Sequence, residues 1–325
     1  MRESEPSAER SSADLAFREG RLADAADVCQ RGIERTHTQG KEDECWLLRI
    51  LLSRCVSFIG DFPGSVALVE TGSVGNGVSV ETRARILNQR AFGLSRGGKF
   101  SDARAALDEA SGLAAECGSA ALEAEIEISR STLFFYLAKY DEVETCARVA
   151  FQIAEEENLP MIEGSACAGM GKSAMYRNRQ ADAIPWFERA MNVYEKEGAT
   201  FYADIMRGEL GCCHFALQEY DKASGYFERA LQASRASGAL ASLHIDLANL
   251  GNLHLCRGEF AAAVSHFQEG LEIARSLGDR ISVSKWLDNL ALAYTSIGNP
   301  NLAKNYQLEA ERISEQVAAA RAAAE

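Results

Sequence analysis

The sequence predicts an all-α solenoid of about eight helix–turn–helix repeats, and three observations predict it. Composition favours helix: roughly one residue in six is alanine, the strongest helix former, and only 5 of 325 are proline, the weakest. No strand-like alternation of apolar and polar residues runs for a useful length. Above all, one phrase returns at a fixed interval: a small residue, any residue, an aromatic or apolar one, two more, then a small residue that is most often alanine.

The first copy is Gly20-Arg21-Leu22 with Ala25, followed by Gly60-Asp61-Phe62 with Ser65 and Gly98-Lys99-Phe100 with Ala103. Lys139-Tyr140 with Val143, Gln180 with Ala183, Glu219-Tyr220 with Ala223, Gly258-Glu259-Phe260 with Ala263 and Gly298-Asn299-Pro300 with Ala303 complete the series. The anchors at 22, 62, 100, 140, 180, 220, 260 and 300 lie 40, 38, 40, 40, 40, 40 and 40 residues apart, a uniformity that chance does not give.

Each unit reads as two helices. An amphipathic stretch of roughly 16 to 18 residues precedes each anchor and another follows it, as in 281–297 and 261–277. Glycines at 20, 60, 98, 258 and 298 close the first helix of their units, because a left-handed residue ends a helix most cheaply when it has no side chain. Breaks such as Cys117-Gly118, Asn158-Leu159-Pro160, Glu197-Gly198, Ser237-Gly238 and Leu277-Gly278-Asp279 separate the units. Residues 71–80, with glycines at 72, 75 and 77, read as a loop between units two and three. The expected repeats span about 9–40, 41–78, 79–118, 119–158, 159–198, 199–238, 239–278 and 279–318, after a polar segment 1–8 and before an Ala-rich helix end 319–325. One such pair cannot bury its apolar face alone, so neighbours must stack into a continuous core. The Ala-rich end lacks the polar cap that finished arrays carry, which suits a frayed helix, a partner contact or a further domain.

The later units resemble tetratricopeptide repeats. Leu250-Gly251-x-x-His254 is followed by Ala263, Phe267 and Gly270, and Leu210-Gly211-x-x-His214 by Ala223, Phe227 and Ala230. Met170-Gly171 precedes Ala183, Phe187 and Ala190, and Leu290-Ala291-x-x-Tyr294 precedes Ala303. Units three and four depart from the pattern, with Arg90 and Arg130 in place of leucine, and units one and two rest on spacing. The family's usual repeat is about 34 residues; the longer unit is similar to repeats of bacterial regulators, of peptide-sensing response regulators, and of chains whose array precedes a caspase-like CHAT protease domain. The resemblance implies a right-handed superhelix whose first helices line a concave face.

Net charge is −13 and the pI about 5.0, so a phosphate backbone is repelled and nucleic acid is not an expected partner. The 9 cysteines, scattered between Cys29 and Cys256, suit free thiols in a reducing cytoplasm. Neither a signal peptide behind Met1 nor an apolar run long enough to span a membrane is visible. No C-x-x-C, H-E-x-x-H, G-x-G-x-x-G or Walker A pattern occurs, so no cofactor is expected. The one cluster with ligand chemistry is Cys212-Cys213-His214 with His244, His254 and Cys256. Zinc would need three or four of them converging tetrahedrally; the simpler expectation places the histidines between paired helices and the cysteines in the core. The runs Glu155-Glu156-Glu157 and Glu123/Glu125/Glu127 read as solvated faces, and the glycines between 164 and 171 as points of close helix packing.

The family geometry implies which residues reach the concave face. They include Arg85, Gln89 and Phe92 in unit three, Thr132 and Phe135 in unit four, and Lys172 and Met175, with Tyr176 beside them, in unit five. Unit six supplies Ile205, Gly208, Glu209, Cys212 and Phe215; unit seven Ile245, Ala248, Asn249, Asn252 and Leu255; unit eight Lys285, Asp288, Asn289, Leu292 and Thr295. Asn249 and Asn289 fall where the family grips a peptide backbone, since one amide offers both a donor and an acceptor. A full carboxylate clamp is not expected, because Gly208 and Cys212 occupy two of its positions. The expected function is a non-enzymatic adaptor, sensor or regulator that binds a peptide or protein segment. The alternatives are the regulatory part of a larger enzyme, such as a CHAT protease or a signalling ATPase, and an enzyme built on the Cys212–Cys256 cluster.

Overall fold

The computed structural model describes residues 7–75, 77–277 and 280–322. Among them the chain forms α-helices joined by short turns, with no strand. They run as α1 (Ala8–Arg18) and α2 (Leu22–Thr38), α3 (Glu42–Ile59) and α4 (Phe62–Leu68), α5 (Val80–Arg96) and α6 (Phe100–Cys117), α7 (Ala120–Tyr136) and α8 (Tyr140–Glu157). The second half continues as α9 (Pro160–Tyr176) and α10 (Gln180–Lys196), α11 (Thr200–Ala216) and α12 (Tyr220–Ser237), α13 (Leu240–Cys256) and α14 (Phe260–Ser276), α15 (Arg280–Ile297) and α16 (Pro300–Ala322). The eight even-numbered helices begin at the eight sequence anchors. Most of the expected segment 1–8 and the last part of 319–325 lie outside the described residues.

Local signals explain the ends. Ser7, Ser79 and Ser119 cap α1, α5 and α7 by accepting from the backbone N–H of Arg10, Thr82 and Leu122. Each turn inside a unit holds one residue in the left-handed region; Gly258, φ 75°, is typical, and the Glu259 N–H returns to the His254 carbonyl at 2.8 Å. Ala138, Asn178 and Gln218 take that same position in units four to six, with φ of 56°, 58° and 62°. Nothing in their side chains announces this for alanine or glutamine.

Packing follows the small-to-large rule of the repeat. The alanines at 25, 103, 183, 223 and 263 are wholly buried where the paired helices cross. Phe187, Phe227 and Phe267, four residues further on, fill the space beneath the glycines of the preceding helix. A Cβ on Gly251 would lie 2.2 Å from the Phe267 ring, on Gly211 2.5 Å from Phe227, and on Gly171 2.6 Å from Phe187. Gly164 is shut by Tyr194 in the same way, so these glycines pack helices and hold no phosphate. Burying each ring stabilises the fold by about 1.5–3 kcal/mol.

Two features differ from the sequence expectation. The second helix of unit two is a single short element, α4, followed by a 3-10 turn at Thr71–Ser73. It ends at Leu68, ahead of the glycines at 72, 75 and 77, and Val69 and Val78 fold back onto Trp46, Ile50 and Ile86 to cover the gap. Secondly, the array does not remain open. Contacts run from α1 to α11 and from α3 to α13, which joins the first two units to units six and seven. Phe17, Leu48, Leu51, Cys55 and Phe58 form one buried cluster with Phe201 and Ala239, and Gly60 rests against Leu277.

Candidate functional site

The candidate residues lie on the first helices of their units and divide into two regions. The first is a partly open cavity of about 330 Å³, lying where the closure brings α1 and α3 to α11. Every residue lining it lies on a first helix of units one to six. Arg85 is here, tied to Glu81 at 2.8 Å and Glu125 at 3.0 Å. Glu125 is therefore an internal counter-ion, not part of a solvated face, and Glu127 likewise pairs with Arg130 at 3.2 Å. That pairing, with Asp108 at 3.0 Å, also explains how arginine replaces leucine at position 130. Gln89 is buried and donates to Ser53 at 3.2 Å. Phe92 joins Phe58 and Phe62 around the guanidinium of Arg96, whose centre stands 4.9–5.6 Å from the three rings. Burial lowers the pKa of Arg96, and the rings supply cation–π attraction in partial return.

The second region spans units four to six. Phe135 meets Tyr176 edge-on at 4.9 Å, and Tyr140 stacks on Tyr176 at 5.4 Å. Lys172 lies over the Phe135 ring at 5.4 Å and pairs with Glu209 at 3.2 Å. Tyr136 and Tyr176 remain 43 % and 48 % exposed, so the cluster presents aromatic surface beside an ion pair. One turn beyond Glu209, Cys212 approaches the Asn249 amide. Phe215 packs on Tyr220 and Phe227 at 5.6 and 6.4 Å. Asn252 and Asn289 are half-buried, and Lys285 is exposed with Ile245 and Leu292. Ten of the residues that the family geometry implies thus fall into three groups. Arg85 lies inside the closure. Phe135, Lys172, Tyr176 and Glu209 touch one another. Phe215, Asn249, Asn252, Lys285 and Asn289 continue along units six to eight.

Beneath that face lies Asp246, buried at 6 % exposure. Ser234 donates to its Oδ2 at 2.5 Å, but desolvation first, and the nearby Glu209 and Asp204 charges, push its pKa up to about 7. Nothing in the sequence distinguished it from the surface aspartates.

The histidines hold their own units together. His214 accepts or donates at Glu219, 2.6 Å away, and stacks on Tyr226 with the ring planes 4° apart. His254 repeats this with Glu259 at 2.5 Å and His266 at 5.3 Å, and Tyr294 stacks on Tyr306 in unit eight. This repeat position joins the two helices of a unit, as the sequence pattern implied. Burial pushes the Cys213 thiol up to about 12 and raises that of Cys212 as well, which suppresses the nucleophilic thiolate at neutral pH. Among the described residues, no three His, Cys, Asp or Glu side chains are placed to hold a metal ion.

Residues 240–316 match one family model of the tetratricopeptide repeat, and residues 206–237 match another. The chain is a tetratricopeptide-repeat protein. Solved structures that share this tetratricopeptide fold include Cut9 in the APC/C Cut9–Hcn1 hetero-tetramer, 16 % identical over 97 % of this chain and 55 % of that one, with a TM-score of 0.74. A Rap protein complexed with Competence and Sporulation Factor is 12 % identical over 95 % and 97 % of the two chains, with a TM-score of 0.65. A signal transduction ATPase with a tetratricopeptide repeat sensor, from Pyrococcus horikoshii, is 15 % identical over 95 % of this chain and 48 % of that one, with a TM-score of 0.60. At these identities the likeness is one of fold. No curated protein sequence matches this tetratricopeptide chain, and no described helix is long and apolar enough to cross a membrane.

Proposed function

We propose that the chain is a non-enzymatic interaction module that binds a peptide or protein segment along the inner face of units four to eight and acts as an adaptor, sensor or regulator. The observation that carries this reading is the partly exposed cluster of Phe135, Tyr176, Lys172 and Glu209, continued by Asn249 and Asn289. Exposed aromatics give apolar anchoring at low entropic cost, and the amides can pair with an extended backbone. The Rap likeness supports it, since that fold is seen holding Competence and Sporulation Factor. The decisive experiment compares wild type with an Asn249→Ala/Asn289→Ala double variant as bait in native lysate, read by quantitative mass spectrometry. A protein enriched by wild type and lost by the still-helical variant supports the reading; equal enrichment on both baits removes the inner face from it.

A second reading makes the chain the regulatory part of a larger enzyme. The likeness to the Pyrococcus horikoshii ATPase favours it, because this chain spans 48 % of that one. Co-purification of a stoichiometric ATPase or protease would decide for it.

A further inference from the structure

The central cavity holds chemistry that binding a protein segment along units four to eight does not use. Its wall carries three guanidinium groups, Arg18, Arg54 and Arg85, against two carboxylates, Asp14 and Glu125. Arg18 is matched to Asp14 at 2.7 Å and Arg85 to Glu125 at 3.0 Å. Arg54 is the one left over. Among the described residues no carboxylate lies within ion-pairing distance of it; its neighbours are the Phe17 ring at 5.9 Å and the Tyr202 phenol. Nearby, Asn88 Oδ1 is buried with no hydrogen-bond donor. Arg54 thus holds one phenol hydrogen bond and feels the Asp14 and Glu125 charges without touching either, which leaves guanidinium N–H groups free to donate, and the Asn88 amide oxygen lacks a donor, so each can take a complementary group.

We propose that this cavity is a binding site for a small monocarboxylate that also carries an amide or ammonium N–H. A planar carboxylate can take both forks of the Arg54 guanidinium, the one arginine of the lining with no carboxylate in contact. The N–H would satisfy Asn88. The volume stands at the lower end of ligand pockets, which run from about 300 to 1,000 Å³, and suits a molecule of roughly dipeptide size. Arg54 and Asn88 belong to units two and three and Tyr202 to unit six, so an occupant also bridges the closure.

The test uses the full chain and two probes, N-acetylglycine and its uncharged analogue N-acetylglycinamide, titrated by calorimetry and saturation-transfer NMR. Saturable binding of the carboxylate, at least tenfold tighter than the amide, is expected. Arg54→Met should abolish that preference. Asn88→Leu, which removes an unpartnered polar atom and so should fold, should weaken N-acetylglycine at least fivefold; it decides the matter if Arg54→Met loses helicity. Equal affinity for the two probes, no saturation by either, or full binding to both variants overturns the proposal. So does inorganic phosphate binding more tightly than N-acetylglycine through Arg54.

Discussion

Phe17 in the first helix meets Phe201 in the eleventh edge-on, with ring centroids 5.8 Å apart, and Phe58 meets the same ring at 5.0 Å. Phe17 lies five units from Phe201 along the chain and Phe58 four, yet the three share one buried cluster. Edge-to-face pairs add about 0.5–1.5 kcal/mol each beyond area burial.

Replacing Phe201 with Ala should therefore cost about 3–5 kcal/mol, the usual penalty for a buried aromatic. Hydrogen exchange should accelerate over α1 to α3 and stay unchanged over α15 and α16. Uniform acceleration along the chain would count against a local closure.

The glycines beneath the aromatic rings give a paired prediction. Gly251→Ala drives a methyl group into Phe267 and should destabilise by about 1–3 kcal/mol. Gly225→Ala, also inside a helix but facing open space, should stabilise by about 0.5–1 kcal/mol. Urea midpoints of the two variants should move in opposite directions.

Asp246 predicts a pH signature. Its folded pKa of about 7 lies above the ordinary aspartate value of 3.8. Between those values the folded state binds the proton more tightly, so this group's contribution falls as pH rises through the window. Asp246→Asn should match wild type near pH 4 and exceed it by about 4 kcal/mol at pH 8. A stability difference that does not change between pH 4 and 8 would refute the assignment.

Ala138 and Gln218 occupy left-handed positions that five other units fill with glycine. An L residue there costs roughly 1–2 kcal/mol. Ala138→Gly and Gln218→Gly should each raise the thermal midpoint, by about 0.5–1 kcal/mol of stability after the added freedom of the unfolded chain is subtracted. A fall in midpoint for both would show that the turns are not strained.

The helix pairs were legible because each local signal agrees with its neighbours: an apolar anchor, a small residue at the crossing and a ring four residues on, at 40-residue intervals. Family geometry also placed Lys172, Glu209, Phe135 and Tyr176 on one face, and they touch. The closure was not legible. It depends on small rotations accumulated over five interfaces, and Phe17, Phe58 and Phe201 look like ordinary core residues within their own helices. The cavity follows from that closure, so Arg54 and Asn88 carried no signal, and Glu125 read as a solvated acid because its partner lies in the preceding unit.

An open solenoid makes only neighbouring contacts, so its units can form in any order and its ends can melt alone. Joining α1 to α11 and α3 to α13 changes that. Those contacts cannot form until the intervening repeats have set the curvature, which makes docking of the first two units a late, high-contact-order step in folding. Once made, it couples fraying of the amino-terminal helices to the integrity of units six and seven.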